Sequence, residues 1–325
     1  KERLRNQHPF FSLVYRHGKL DHLNNNFVQS LEKFIGEDGR VRTSHNLVCT
    51  GRLSCSKPSL HQLPNPKKEK LEFNYREVFI PRPGYVIVKA DYSGQELKVL
   101  GEVSGDRTMR HAFSKNYDLH LFTANAVFNL DLSDGCFVDG SEEHEEAVTK
   151  HKQKRHQAKN GVNFPIIYGA TAGRIAKDNK VSKEEAERWL NQFFKLYPGV
   201  KKSIDLIPKE LASCGFVRTL FGRKRRFPLY ANAKPNDKRK MQRQAFNMKI
   251  QGSSADIGKI AGIKLLKELP SYAKIILFIH DEYVVETPKD TAKEVERIMK
   301  DCLENAVALS VKLTADTKIV DNFGV

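Results

Sequence analysis

The sequence predicts a mixed α+β fold, and three observations lead to it. Strand-like and helix-like segments alternate without the regular βα rhythm of a doubly wound parallel sheet. Residues 84–91 (GYVIVKAD) form an apolar, β-branched run that ends in an acid, the pattern of a buried strand. Residues 274–286 hold two apolar runs, IILFI and YVVE, separated by the polar tip His280, Asp281, Glu282. So short a tip between two apolar runs implies a tight hairpin.

The other elements follow in order. Residues 10–20 and 27–35 look helical, and 36–40 (GEDGR) form a turn. Between 49 and 83, Pro58, Pro64, Pro66, Pro81 and Pro83 exclude long helices, because each removes a backbone donor and clashes with the preceding turn. A helix follows the buried strand at 93–103, and another spans 118–127 with His120 in its first turn. Residues 129–145 (NLDLSDGCFVDGSEEHE) are acidic and loop-like, as in an exposed excursion. Residues 147–169 make a basic, then apolar, helix. Amphipathic helices at 182–197 and 199–213 are parted by Pro198 and Gly199. A hairpin at 215–227, a long helix at 237–269 stopped by Pro270, a helix at 290–307 and a strand near 312–318 complete the chain. No internal repeat or low-complexity tract is present.

The chain has 325 residues, enough for two or three packed units. With 40% hydrophobic and 29% charged residues, wholesale disorder is excluded. The longest apolar run, residues 275–279, is far short of the roughly 18 residues needed to span a bilayer. No charged region leads into an apolar one at the N-terminus, so no secretory signal is expected. Cys49, Cys55, Cys136, Cys214 and Cys302 are odd in number and lack CxxC spacing. That argues against a disulfide framework or structural zinc and suits a reducing, intracellular compartment. The first residue is Lys1 rather than Met, as expected of a piece of a longer chain. The net charge of +16 fits either a solvated surface or a polyanion partner. Clusters at 150–159 (KHKQKRHQAK), 222–226 (GRKRR) and 238–243 (KRKMQR) favour nucleic acid.

Asp91 and Asp281 sit at the ends of buried strands, where a carboxylate either caps an element or holds a cation. Two such acids on adjacent strands would make an oxygen site suited to Mg²⁺. That is the apparatus of two-metal phosphoryl transfer, with ions about 3.5–4 Å apart. Arg155 and Lys159, four apart, share one helical face, which is a triphosphate clamp or a solvated face. Phe164 and Tyr168, also four apart, are a platform for a base or ordinary core packing.

Six segments carry a resemblance: 50–54 (TGRLS) with 60–64 (LHQLP), 91–98 (DYSGQELK), 118–120 (DLH), 155–169, 243–252 and 280–282 (HDE). In this order they resemble the polymerase region of family A DNA polymerases, from about residue 10 to the end. The resemblance implies a right-hand palm, with an antiparallel sheet, and helical fingers, the thumb being largely missing. It divides the chain into thumb base and palm entry (1–48), first palm part (49–113), fingers (114–240) and second palm part (241–325). It implies a template-directed DNA polymerase with two Mg²⁺ ions, replaceable by Mn²⁺, acting on primer–template DNA and deoxynucleoside triphosphates in replication or repair. No membrane is implied, and no processivity partner is identified. Asp91 and Asp281 would be the metal-binding carboxylates, with Glu282 beside them and the Tyr92 carbonyl assisting. His120, Arg155 and Lys159 would grip the triphosphate, and Lys159 would protonate the departing pyrophosphate. Glu96 would be the steric gate against a ribose 2′-hydroxyl, Phe164 would lie against the sugar, and Tyr168 near the templating base. Arg52, Arg243, Asn247 and Gln251 would contact primer and template, with His280 near the primer terminus. The competing readings are a single-subunit RNA polymerase and an inactive nucleic-acid-binding relative.

The chain departs from the family pattern in places. Lys159 and Phe164 are five apart where four is usual, which on a regular helix rotates the aromatic by roughly 100°. Either a local bulge absorbs the extra residue or the grip shifts by one position. Gly94 and Gln95 replace Gln-Ile, Lys98 stands where Arg is common, Ser59 and His61 replace amide-bearing residues, and Phe323 replaces a Trp. No upstream acidic exonuclease motif can be located, so proofreading is not assigned.

Overall fold

The computed structural model describes residues 8–64 and 74–324; Pro66, counted above among the helix-excluding prolines, lies outside them. The chain opens with α1 (Pro9–Leu23) and a small antiparallel hairpin, β1 (Ser44–Leu47) with β2 (Leu53–Ser56). Next come β3 (Tyr85–Tyr92) and α2 (Gln95–Ser104). Gly94 joins them at φ 64°, a left-handed conformation that a residue with a Cβ adopts only at a cost. Four helices follow: α3 (Arg107–Ser114), α4 (Leu119–Phe128), α5 (Glu142–Lys150) and α6 (Lys152–Gln157). The helix then widens over Ala158–Asn163 and closes as Phe164–Ile167. After α7 (Ala172–Asn179), α8 (Lys183–Leu196) and α9 (Pro198–Cys214) comes the hairpin of β4 (Phe216–Arg218) and β5 (Lys224–Arg226). The long α10 (Pro235–Glu268), the hairpin β6 (Lys274–Ile279)/β7 (Glu282–Pro288), α11 (Ala292–Glu304) and β8 (Ala315–Val320) end the fold.

The central sheet has the order β6-β7-β3-β8, with every neighbouring pair antiparallel. Both of its faces matter, because side chains alternate along a strand. Val86, Val88, Ala90 and Tyr92 enter the large core, which includes Leu97 and Leu100 of α2 and Val295, Met299 and Leu303 of α11. Burying a side chain such as Val88 completely is worth about 1.5–3 kcal/mol. The intervening residues Ile87, Lys89 and Asp91 face the other way. There Ile87, Val284 and Val320 meet Cys55, Leu60, Leu63 and Phe323 in a smaller cluster.

Some helix starts are fixed by side-chain caps. Asp106 Oδ1 accepts from Met109 N at the start of α3 (2.9 Å), while its Oδ2 accepts from Gly199 N at the start of α9 (2.7 Å). One buried carboxylate therefore ties two helices together, and Gly199 is small because a Cβ would stand 2.8 Å from Asp106 Cα. On α8, Ser182 caps the helix, and Trp189, Phe193 and the following Tyr197 form a buried i, i+4 stripe.

Three expectations need correction. The stretch 129–145 is largely exposed, as expected, but it is not a bare loop: a helix begins at Glu142, and Phe137, 1% exposed, packs with Leu121 and Ala147. Apolar residues within an acidic run had hidden that anchor. The helix expected at 147–169 breaks at His151 (φ −109°, ψ 21°) and widens at Ala158–Asn163. Short α3 and α7 and the β1/β2 hairpin give too few periods for a sequence pattern to stand out.

On the second face of the sheet, Glu286 of β7 lies beside Ile87 and is almost fully buried. Arg40 Nη2 donates to both its oxygens (3.1 and 2.9 Å), and Arg82 donates through N (3.0 Å) and Nε (3.1 Å). Burial alone would raise the Glu286 pKa, but the Arg82 amide and the two guanidinium groups outweigh it and hold it low. A group with a lowered folded pKa stabilises the fold at neutral pH and loses that contribution as pH falls through the folded value. Replacing both arginines (Arg40→Ala with Arg82→Ala) strands the carboxylate and is expected to cost about 3 kcal/mol in urea unfolding at pH 7. The gap from the unmodified protein should shrink on acidification; a gap that stays constant to pH 3 would contradict this account.

Candidate active site

Antiparallel register builds the first part of the site. Asp91, at the end of β3, pairs with Glu282 of β7 on one side and with Asp316 of β8 on the other. Three carboxylates thus stand in one row across three strands, with Lys318, Lys89 and Val284 in the next row. Like charges directly opposite one another repel. Asp281 joins them from the two-residue tip between β6 and β7, close enough for its charge to act on Asp91. His280, the first tip residue, has φ 58°, an uncommon conformation for a residue with a Cβ.

Every acid that faces Asp91 from the tip or β7 is perturbed in the same direction. Solvent reaches Asp91, yet the protein packed beneath it and the charges of Asp281, Glu282 and Asp316 push its pKa up to about 7. Asp281 is raised by burial, against the opposing pull of Arg52 and His280. Glu282 is raised by burial too, and partly offset by Lys89 and Arg76. Ser93 Oγ donates to Asp316 Oδ2 (2.6 Å). Tyr92 turns its ring into the core, where Oη donates to the Leu303 carbonyl (2.8 Å), so only its main chain is available to the acids.

The donor set is all oxygen and carries excess negative charge, which suits a hard divalent cation. Among the described residues, no group of three or more His, Cys, Asp or Glu is arranged as a metal cage. Two carboxylates without a cage match an ion that keeps waters and substrate phosphates, as Mg²⁺ does.

The second part lies at the start of α2. Glu96 is buried in its first turn, with Oε1 2.5 Å from Arg52 Nη2 and Oε2 accepting from Tyr168 Oη (2.9 Å). Burial and then the Glu96 charge raise the Tyr168 pKa, while a hydrogen bond with Gln251 opposes them. Arg52 also acts on Asp281, so the acids and the Glu96 cluster are neighbours.

The third part is on the helices between 114 and 170. Asp118 caps α4, accepting from His120 N (2.9 Å) and Leu121 N (3.2 Å). It also accepts from His144 Nε2 (3.2 Å) and from Arg155 Nε. Burial opposes its ionisation, but Arg155 and His144 prevail and keep its pKa low. The His120 ring lies 5.7 Å from that of Phe164, and Asn163 Nδ2 donates to His120 Nδ1 (3.0 Å). Burial, helped by Lys159 and Arg155 against Asp118, depresses the His120 pKa to about 4, so the imidazole is neutral at pH 7. With Nδ1 accepting, Nε2 carries the hydrogen.

The extra residue between Lys159 and Phe164 is absorbed. Ala158–Asn163 forms a π-turn, in which each turn takes one more residue than in an α-helix. Lys159 Nζ consequently stays 6.0 Å from the Phe164 ring centroid. Of the two alternatives left open by the spacing, the structure has the bulge.

On α10, Arg243, Asn247 and Gln251 recur every four residues on one face, and Asn247 Nδ2 donates to Gln251 Oε1 (3.1 Å). The Arg243 stem packs on Gly169, where a Cβ would stand 2.7 Å away. His280, His61 and His45 form a row with 5.7 Å between successive ring centroids. His61 is held below its ordinary pKa by burial and by those two histidines, against a bond to the Phe278 carbonyl (2.9 Å).

Sequence reasoning missed Asp316, Asp118, Asn163 and His144. Asp118 was detectable as an Asp immediately before a helix. The others acquire their meaning from strand register or helix packing, which leave no local trace.

Gly161 lies within the π-turn, and a Cβ there would collide with the Asn179 side chain of α7. Gly161→Ala is expected to lower stability by about 1–3 kcal/mol in thermal unfolding. Adding Asn179→Ala should recover most of the loss; no recovery would mean that backbone strain, not the collision, sets the cost.

These features can be compared with known proteins. A family model described as DNA polymerase family A matches residues 2–325. DNA polymerase I, thermostable, of Thermus filiformis is 34% identical over 322 residues, covering 98% of this chain and 36% of that protein. DNA polymerase I of Caldicellulosiruptor bescii is 38% identical over 324 residues, with the same 98% and 36% coverage. A solved structure of the polymerase domain of Pol1 from M. smegmatis, in complex with DNA primer-template and dNTP, superposes with a TM-score of 0.84 at 26% identity. It covers 98% of this chain and 54% of that one. The chain spans little more than a third of the length of these curated relatives.

Proposed function

The chain belongs to DNA polymerase family A, and on that premise we propose that it adds deoxynucleotides to a primer 3′-hydroxyl under the direction of a template strand, releasing pyrophosphate. The observation that carries this reading is the crowded row Asp316, Asp91, Glu282, with Asp281 brought beside it at the β6/β7 tip. Asp91 and Asp281, with the Tyr92 main chain, would hold two Mg²⁺ ions, for which Mn²⁺ can substitute. When bound, these ions supply charge neutralisation at the attacking and leaving oxygens.

The chain's own residues then bind and orient. Neutral His120 offers Nε2–H to a phosphate oxygen, while Arg155 and Lys159 supply positive charge. Asp118 engages Arg155 through Nε and so fixes the direction of its guanidinium. Lys159 is the candidate donor to the departing pyrophosphate. Phe164 lies against the sugar and Tyr168 near the templating base. Glu96 is clamped by Arg52 and Tyr168, and in this reading it would crowd a ribose 2′-hydroxyl. Arg52, Arg243, Asn247 and Gln251 would touch primer and template, and His280 the primer terminus. The net charge of +16 supports a polyanion partner. The five free cysteines suit a reducing compartment.

Asp91→Ala and Asp281→Ala are each expected to bind primer–template normally and to lose Mg²⁺-dependent extension by about a thousandfold or more. Extension that survives both changes would refute the assignment of the acids. Glu96→Ala should admit ribonucleotides in single-nucleotide incorporation. Equal use of ribonucleotides by the unmodified protein would instead favour the RNA-polymerase reading.

A further inference from the structure

Arg223 opens the basic run 222–226, whose charge pattern points to a polyanion contact. In the fold its side chain turns inward. Nε donates to Asp256 Oδ1 (2.8 Å), and Nη2 donates to the main-chain carbonyls of Thr50 (2.7 Å) and Gly252 (3.0 Å). Its own N–H donates to Thr219 Oγ1 (3.1 Å), which fixes its place in the β4/β5 hairpin. Gly51, at φ 84°, lies flat against the guanidinium; a Cβ there would stand 2.6 Å from Nη2. The next residue is Arg52, the partner of Glu96. One guanidinium thus joins the β4/β5 hairpin, α10 and the turn that carries Arg52.

We propose that Arg223 is a positioning residue for sugar selection: it holds the turn of Thr50, Gly51 and Arg52 so that Arg52 clamps the Glu96 carboxylate. This rests on the role given to Glu96 under the proposed function. Arginine suits the task because its planar fork presents several donors in a fixed geometry to acceptors on different elements. A lysine has one nitrogen and reaches only part of that set. Without the guanidinium, the Thr50 and Gly252 carbonyls lose a donor, and the backbone beneath Arg52 is free to relax. Displacements of about 1 Å in such supports cost up to about a hundredfold in rate-determining alignment.

The test compares Arg223→Gln, Arg223→Lys and Asp256→Asn for deoxy-over-ribonucleotide selectivity in single-nucleotide incorporation, together with primer–template Kd and unfolding temperature. Arg223→Gln is expected to lower selectivity about tenfold, Arg223→Lys to restore part of it, and Asp256→Asn to shift it in the same direction. Arg223→Gln added to Glu96→Ala should lower selectivity no further than Glu96→Ala alone, since both act through one carboxylate. Weakened primer–template binding with unchanged selectivity would overturn the proposal in favour of a surface DNA contact. A loss of stability with unchanged selectivity would reduce Arg223 to a structural tie and overturn it equally. Should Arg223→Gln fail to fold, Asp256→Asn with unmoved selectivity overturns it. Glu96→Ala with unchanged selectivity would remove the sugar-edge reading itself, which separates that failure from failure of Arg223.

Discussion

Asp91 is held between Glu282 and Asp316 by hydrogen-bonded register on both sides of β3, and strand pairing leaves it no way to move aside. A row of carboxylates in that position works against the sheet, because each acid raises the energy of ionising the next. The sheet tolerates it through what lies on the rest of its two faces. Val86, Val88, Ala90 and Tyr92 anchor one face in the main core, and Ile87, Val284 and Val320 anchor the other. At the far end of the same strands, Glu286 is fully neutralised by Arg40 and Arg82. One end of β7 is thus electrostatically satisfied, and the other is left strained by like charge. The proposed binding of cations and phosphate rests on that polarity.

The helical part solves a different problem, which is to aim several cations at one place without letting them repel one another apart. Asp118 does this from a buried position by capping α4 and binding Arg155 and His144 at once. His120 contributes no charge at neutral pH, so it adds a donor beside Lys159 and Arg155 without adding to their repulsion. The π-turn at Ala158–Asn163 preserves the approach of Lys159 to Phe164 despite the added residue. Wide turns of this kind are found at functional sites in helices because they re-aim side chains at a modest cost in hydrogen bonding.

The three clusters form one surface through shared members. Arg52 acts on both Glu96 and Asp281, and Tyr168 bonds Glu96 from the end of the helix that carries Phe164. A change in the position of that helix is therefore felt at Glu96 through Tyr168. Binding and closure can be coupled by this route, as in enzymes that assemble their site around a correct substrate.

Much of this was legible in the chain itself, for reasons of periodicity and local chemistry. The strand at 84–91, the hairpin at 274–286 and the long helix at 237–269 announce themselves because burial demands apolar residues at fixed intervals. Glu96 was pointed to only by the family resemblance, whereas Asp91, Asp281 and the Arg155/Lys159 pair could be singled out because charged residues beside such patterns need a reason to be there. Asp316, His144 and the inward turn of Arg223 could not. An aspartate in an exposed-looking strand, a histidine in an acidic helix and an arginine in a basic run each resemble solvated surface until distant segments pack against them. Strand registry and helix contact depend on the whole chain, and so does the choice between a bulge and a shifted grip at Asn160 and Gly161. The sequence alone determined which residues were chemically out of place; only the tertiary structure decided which of them meet, because proximity between residues far apart in a chain is a property of packing.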